Sequence, residues 1–277
     1  MGPFGRGHSE CLFPPVDPDG NIGGGAWGVV TSIAFSGDGK SLISGGPGHA
    51  YLWEVATGQQ RWRLEGHEEN HFTVAFSPDG RTLATSCGDN KIRIWDAVGW
   101  WHDVKPVPEE LEAQWAALMS DDARKGYRAL CTLVHWPDHT VPFLRQRLQP
   151  IPKAQVQRIA QLIADLDSSQ FAVRQRATAE LEQLADAAER ALQDLLAGKP
   201  SLEVRQRAER LLTKLRAAPI SGERLCVLRA MEVLEHIGTS AVRPILAFLA
   251  QGAPEDPLTQ EAKASLKRLT KRWGAAP

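Results

Sequence analysis

Residues 66–96 read GHEENHFTVAFSPDGRTLATSCGDNKIRIWD, opening on Gly66-His67 and closing on Trp95-Asp96. Three short alternating runs lie between, FTVAF, TLATS and KIRIW. Turn residues bound them, Ser77-Pro78-Asp79-Gly80 and Gly88-Asp89-Asn90. A two-residue alternation of apolar and polar side chains, β-branched residues and this punctuation predict three antiparallel strands.

Residues 29–65 repeat the pattern in weaker form. VTSIAF answers HFTVAF, Ser36-Gly37-Asp38-Gly39-Lys40 answers Ser77-Pro78-Asp79-Gly80-Arg81, and AYLWE answers IRIWD. Phe35 and Phe76 are 41 residues apart, and Trp53 and Trp95 are 42 apart. Gln60–Leu64 is predicted as an outer strand. The Gly-His opening, the SPDG turn and the Trp-Asp close, at this period, resemble the WD-repeat family, whose repeat forms one blade of a β-propeller. The resemblance implies a partial β-propeller of two four-stranded antiparallel blades over residues 26–104, preceded by a flexible, Gly- and Pro-rich segment at 1–25.

The resemblance also implies a buried hydrogen-bond network in the second blade, from Trp95 through Ser86 and Asp89 to His67. The residue types suit it, since an indole N–H only donates, a carboxylate only accepts, and hydroxyl and imidazole do both. Such a network is structural rather than catalytic. The first repeat keeps Trp53 and Ser44 but has Pro47 where Asp is expected and Gly23-Gly24-Gly25-Ala26 where Gly-His is expected. It is read as a degenerate blade.

After Asp96 the period changes. Residues 97–104 are assigned a last outer strand and 105–109 a linker. From Glu110 onward apolar residues recur at helical spacing. Helices are predicted at Glu110–Met119, from the Ser120-Asp121-Asp122 cap to Pro137, and at Val141–Leu148, Ala154–Leu166 and Ser169–Leu184. Further helices are predicted at Ala187–Ala197, Leu202–Leu215, Glu223–Ile237, Ala241–Gln251 and Leu258–Trp273. Ser221 is placed at a helix start, and Gly198, Gly238 and Gly252 just past helix ends. Val173-Arg174-x-x-Ala177-x-x-x-Leu181 recurs 31 residues on as Val204-Arg205-x-x-Ala208-x-x-x-Leu212. Arg229-Ala230-x-x-x-Leu234 is a fainter echo. Residues 110–273 thus resemble an all-α, solenoid-like HEAT-type repeat domain. The whole arrangement resembles bacterial WD-repeat proteins that carry a helical tail.

Composition narrows the function classes. The formal net charge is -1. The halves differ: residues 1–104 hold 7 Lys/Arg and 12 Asp/Glu, and the remainder 25 and 21. Neither balance has the basic excess of a nucleic-acid-binding domain. No apolar run reaches a membrane span, and the start shows no apolar signal-peptide core, so a cytoplasmic protein is expected. The cysteines, Cys11, Cys87, Cys131 and Cys226, show no disulfide or metal framework and are read as small buried thiols.

Three motifs compete with the structural reading. His67-Glu68-Glu69-Asn70-His71 matches H-E-x-x-H but joins two strands instead of lying on a helix. Gly23-Gly24-Gly25-Ala26-Trp27-Gly28 matches G-x-G-x-x-G but precedes a strand. Cys131, His135 and His139 have metal-like spacing, yet Pro137 interrupts the helix and no fourth ligand is evident. Lys267-Arg268-Leu269-Thr270-Lys271-Arg272 suits the negative end of a helix dipole. No catalytic set and no cofactor site emerge.

The reading is therefore a non-catalytic protein–protein interaction scaffold, the C-terminal part of a larger WD-repeat protein. Its partners are other proteins, with self-association or further blades completing the propeller, and neither nucleic acid nor membrane. Arg61, Trp62, Arg63 and Trp100-Trp101 are candidates for the contact surface. The competing reading is a metal-binding or regulatory tail of an enzyme encoded upstream.

Overall fold

The computed structural model describes residues 30–46, 49–65, 73–98, 110–184, 186–254 and 256–274. They form seven strands followed by ten α-helices, in two compact units, Met1–Trp95 and Asp96–Pro277. The leading segment 1–25 and the linker 105–109 lie outside the described residues.

The first unit holds β1 (Ser32–Phe35), β2 (Ser41–Gly45), β3 (Ala50–Glu54) and β4 (Gln60–Leu64), antiparallel in that order. It is followed by β5 (Thr73–Phe76), β6 (Thr82–Ser86) and β7 (Ile92–Asp96) in a second sheet. The first blade thus has its four strands. Of the fourth strand expected in the second, Ala97 and Val98 form a turn and 99–104 lie outside the described residues.

The repeat extends to atomic detail. Ser36 Oγ donates to Asp38 Oδ1 at 2.6 Å and accepts from the Ser41 amide at 2.9 Å. Ser77 Oγ donates to Asp79 Oδ1 at 2.6 Å and accepts from the Thr82 amide at 2.9 Å. Gly39 and Gly80, at φ 74° and 69°, supply the left-handed residue each turn requires.

Strand pairing sorts the side chains into two faces per blade. In blade 1, Ile33 opposes Ser44, Phe35 opposes Leu42, and Leu42 opposes Trp53, which defines a tryptophan face. Ile43, Leu52 and Trp62 lie on the opposite face. That opposite face packs on the tryptophan face of blade 2. Trp62 meets Trp95 edge-on, with centroids 5.9 Å apart, and Ser32 Oγ accepts from the Val74 amide at 3.3 Å. Ile43, Leu52 and Leu83 are fully enclosed there, each worth roughly 1.5–3 kcal/mol of burial.

The second unit is all-helical: α1 (Leu111–Leu118), α2 (Ala123–Val134), α3 (Pro137–Arg147), α4 (Lys153–Asp165), α5 (Phe171–Leu184), α6 (Asp186–Ala197), α7 (Leu202–Ala217), α8 (Gly222–Ile237), α9 (Arg243–Leu249) and α10 (Pro257–Gly274). Asp122, Ser201 and Ser221 cap α2, α7 and α8 by accepting the amides of Arg124, Val204 and Arg224. Gly238 closes α8 at φ 57°, while after α6 the left-handed residue is Lys199 rather than the expected Gly198.

The sequence repeat falls on α5 and α7. α4 pairs with α5 and α6 with α7, while α4 also touches α6 and α5 touches α7. Their shared core holds Leu162, Leu166, Ala177, Leu181, Ala208 and Leu212. The buried alanines bring the helices close. Beyond α7 the order ceases to be nearest-neighbour: α8 packs on α1, α2, α3 and α10. α8 is enclosed along its length, from Leu225 to Ile237, and cannot be a solvent-facing repeat helix. Pro137, read as a helix stop, is the first residue of α3, where its missing N–H costs nothing.

Candidate protein-interaction surface

The indole-to-hydroxyl link of the expected network is formed in both blades, with one change of residue. Trp53 Nε1 donates to Ser44 Oγ at 2.8 Å in blade 1. In blade 2 Trp95 Nε1 donates to Thr85 Oγ1 at 2.9 Å, so the hydroxyl is that of Thr85 and not the expected Ser86. Side chains alternate along a strand, and Ser86 falls on the face away from Trp95. Pairing Phe35 with Leu42 and Phe76 with Leu83 makes Ser44 the equivalent of Thr85. The 41-residue phenylalanine spacing carried that signal. The extra residue of the 42-residue tryptophan spacing sits in the β6–β7 turn.

Asp89 stands in that turn with its side chain 6% exposed, 4.0 Å from Arg93 Nη2. Its Oδ1 accepts the Lys91 amide at 3.0 Å. His67 and Pro47 lie outside the described residues.

The three weak metal candidates are not brought together. Cys131 is fully buried on α2, and the His135 and His139 side chains are exposed. His135 Nδ1 lies 2.9 Å from the Cys131 carbonyl oxygen, occupied with the backbone of its own helix. Pro137 starts α3, so His139 lies on a different helix from Cys131. Their ligand atoms do not converge within 4.8 Å.

Among the surface candidates, Arg61 is corrected. It is 4% exposed, with Nη2 2.9 Å from Glu54 Oε1 and Nη1 donating to Ser41 Oγ at 2.8 Å. The bulge between β3 and β4 turns it inward. Trp62 is half-buried against Trp95, and Arg63 keeps a third of its side chain exposed beside Glu65. Trp100 and Trp101 lie outside the described residues. Near the C terminus Arg268 is held by Glu235 and Glu261, which push its pKa further up.

The residues that matter most for a surface were missed as such. Ile33 and Phe35 are 60% and 59% exposed on the tryptophan face of blade 1. Ile92 and Ile94 are 73% and 67% exposed on the opposite face of blade 2. Adjacent large apolar side chains exposed on a sheet face mark a contact site for protein. The alternation of the strands contained this information, but which face a neighbour covers is a property of the stacked pair.

Antiparallel hairpins with an indole-to-hydroxyl bond at each third strand, stacked face to face, define the WD-type blade. The family described as WD domain, G-beta repeat matches residues 19–54 and 58–96, so this chain carries two WD40 repeats. Coronin-7 of Rattus norvegicus is 42% identical over 45 residues, 16% of this chain and 5% of that protein. Protein ROOT INITIATION DEFECTIVE 3 of Arabidopsis thaliana is 33% identical over 96 residues, 34% of this chain and 19% of that protein. Target of rapamycin complex subunit wat1 of Schizosaccharomyces pombe is 36% identical over 69 residues, 24% of this chain and 22% of that protein. All three relatives are eukaryotic, and this chain spans at most about a fifth of their length. No helix among the described residues is long and apolar enough to cross a membrane.

Proposed function

We propose that this protein is a non-catalytic protein–protein interaction scaffold. Its blades, over 26–104, take up partners through their outer faces, and the helical domain at 110–273 is joined to them through 105–109. The observation that carries the reading is the exposure of Ile33, Phe35, Ile92 and Ile94 on the two outer blade faces. Leaving four large apolar side chains in water forgoes roughly 1.5–3 kcal/mol of burial at each. A binding protein recovers it. The relative named as a subunit of the target of rapamycin complex is in keeping with an assembly role.

Cross-linking in an extract of the source cells tests the reading. Lys40 and Lys91 flank the outer faces in sequence and serve as reporters. Cross-links from both to a bound protein are expected with the full chain, and their loss is expected in Ile33→Asp/Ile94→Asp. The same cross-linked proteins in the same amounts from both chains would refute it.

A further inference from the structure

Among the described residues there is one complete joint between blades and, on its outside, an exposed apolar pair on each end face. Strand pairing sets the equivalences. β1 maps onto β5, so Ile33 corresponds to Val74 and Phe35 to Phe76. The aligned tryptophans map β3 onto β7, so Ala50 corresponds to Ile92 and Leu52 to Ile94. Inside the joint three of these positions are closed, with Val74 6% exposed, Ala50 0% and Leu52 1%, and Phe76 is half-buried. Outside it their counterparts are open, with Ile33 at 60%, Ile92 at 73% and Ile94 at 67%.

The tryptophan face of blade 2 is therefore satisfied by the opposite face of blade 1. Of the two end faces among the described residues, that of blade 1 encloses Leu42 and Trp53, each 6% exposed, but leaves Ile33 and Phe35 open, and that of blade 2 leaves Ile92 and Ile94 open. Each of these exposed pairs belongs to a face of the type that the other binds. A contact of this kind is head-to-tail: one patch meets a different patch on the next molecule, and repetition closes a ring if the rotation allows.

We infer that the occupant of the outer blade faces is a second copy of this chain. The tryptophan face of blade 1 (Ile33, Phe35) of one copy seats on the opposite face of blade 2 (Ile92, Ile94) of the next, reproducing the joint that Trp62 and Trp95 make internally. The inference rests on the interaction-scaffold reading and names its partner. Propellers close with about four to eight blades, so two blades per chain give a closed assembly of about two to four copies.

The full 277-residue chain, at 30.4 kDa, is measured by size-exclusion chromatography with light scattering between about 1 and 100 μM. A concentration-dependent mass of two to four chains is expected. Ile33→Asp, which spoils the blade 1 face, and Ile94→Asp, which spoils the blade 2 face, are each expected to run as monomers. Their equimolar mixture is expected to form a one-to-one dimer, because each variant keeps the face that the other needs. Phe35→Lys and Ile92→Lys repeat the pair, and far-UV circular dichroism confirms that each chain is folded. A wild-type chain that stays monomeric throughout overturns the inference, as does assembly that survives either substitution or a mixture that does not pair. A monomeric pure chain whose Lys40 and Lys91 cross-link to another protein in extract overturns this inference alone and leaves the scaffold reading standing.

Discussion

A β-carbon at Gly126 would collide with the guanidinium of Arg229. Arg229 is 1% exposed, and its Nη1 donates at 2.7 Å to the carbonyl oxygens of both Leu118 and Ser120. α8 is thereby tied to the end of α1, where backbone acceptors have no intrahelical partner. Gly126 on α2 is the opening through which the guanidinium reaches them. Gly126→Ala is expected to displace Arg229, leave those carbonyls unsatisfied and cost roughly 3 kcal/mol. Urea unfolding should show a lower midpoint at unchanged slope. A loss within about 0.5 kcal/mol, the range of ordinary surface substitutions, would mean that Arg229 has another way in.

The indole bond of blade 2 separates two neighbouring hydroxyls. Thr85, 1% exposed, accepts from Trp95 Nε1, whereas Ser86 is only half-buried on the other face. Thr85→Val keeps the shape and strands a buried donor, at an expected cost of about 1–3 kcal/mol. Ser86→Ala should change stability by less than about 0.5 kcal/mol. Calorimetric melting of the two variants decides between them. Equal shifts would return the network to Ser86.

That distinction shows what was legible in the sequence. The two repeats, their strands and turns, and nearly every helix were readable, because alternation, helical spacing and caps such as Ser221 are local signals. Thr85 was missed because Ser86 lies three residues before Asp89 and looked equivalent to the hydroxyl of the family pattern. The face on which a hydroxyl lies depends on pairing register, which Phe35 and Phe76 report and Trp53 and Trp95 obscure. Arg61 read as a surface cation because its partner Glu54 meets it only through the β3–β4 bulge. Arg229 read as a weak echo of a repeat, and nothing local links it to Gly126 across about a hundred residues. The exposed pairs Ile33/Phe35 and Ile92/Ile94 looked like ordinary strand residues until the stacking order of the blades was known.

Blade 1 carries an ion pair where a core would normally be apolar. The Arg61 and Glu54 side chains are each 2% exposed, and Thr57 Oγ1 donates to Glu54 Oε2 at 2.8 Å. Removing one member leaves the other charge without its partner away from water. Arg61→Met is therefore expected to cost about 3–5 kcal/mol. The double change Arg61→Met/Glu54→Leu should recover most of it, since a filled apolar site of similar volume avoids the desolvation. Thermal unfolding of the three proteins measures the coupling. Additive losses in the double variant would show that the two side chains act independently.

Cys226 gives the second unit a dependence on alkaline pH. Its thiol is 1% exposed on α8 and donates to the Trp115 carbonyl oxygen at 3.7 Å. Burial pushes its pKa up from 9.0 to about 12, against the opposing pull of the Arg229 and Arg147 guanidiniums. Below pH 9 both folded and unfolded chains keep the proton, and the thiol makes no pH-dependent contribution. Between about 9 and 12 the unfolded chain releases a proton that the folded chain retains, so stability falls as pH rises. From pH 7 to 10 wild-type protein should lose on the order of 1 kcal/mol more than Cys226→Ala. Urea titrations of both proteins at the two pH values give this difference directly. Parallel losses would show that the thiol ionises in place, with α8 opening enough to admit water beside it.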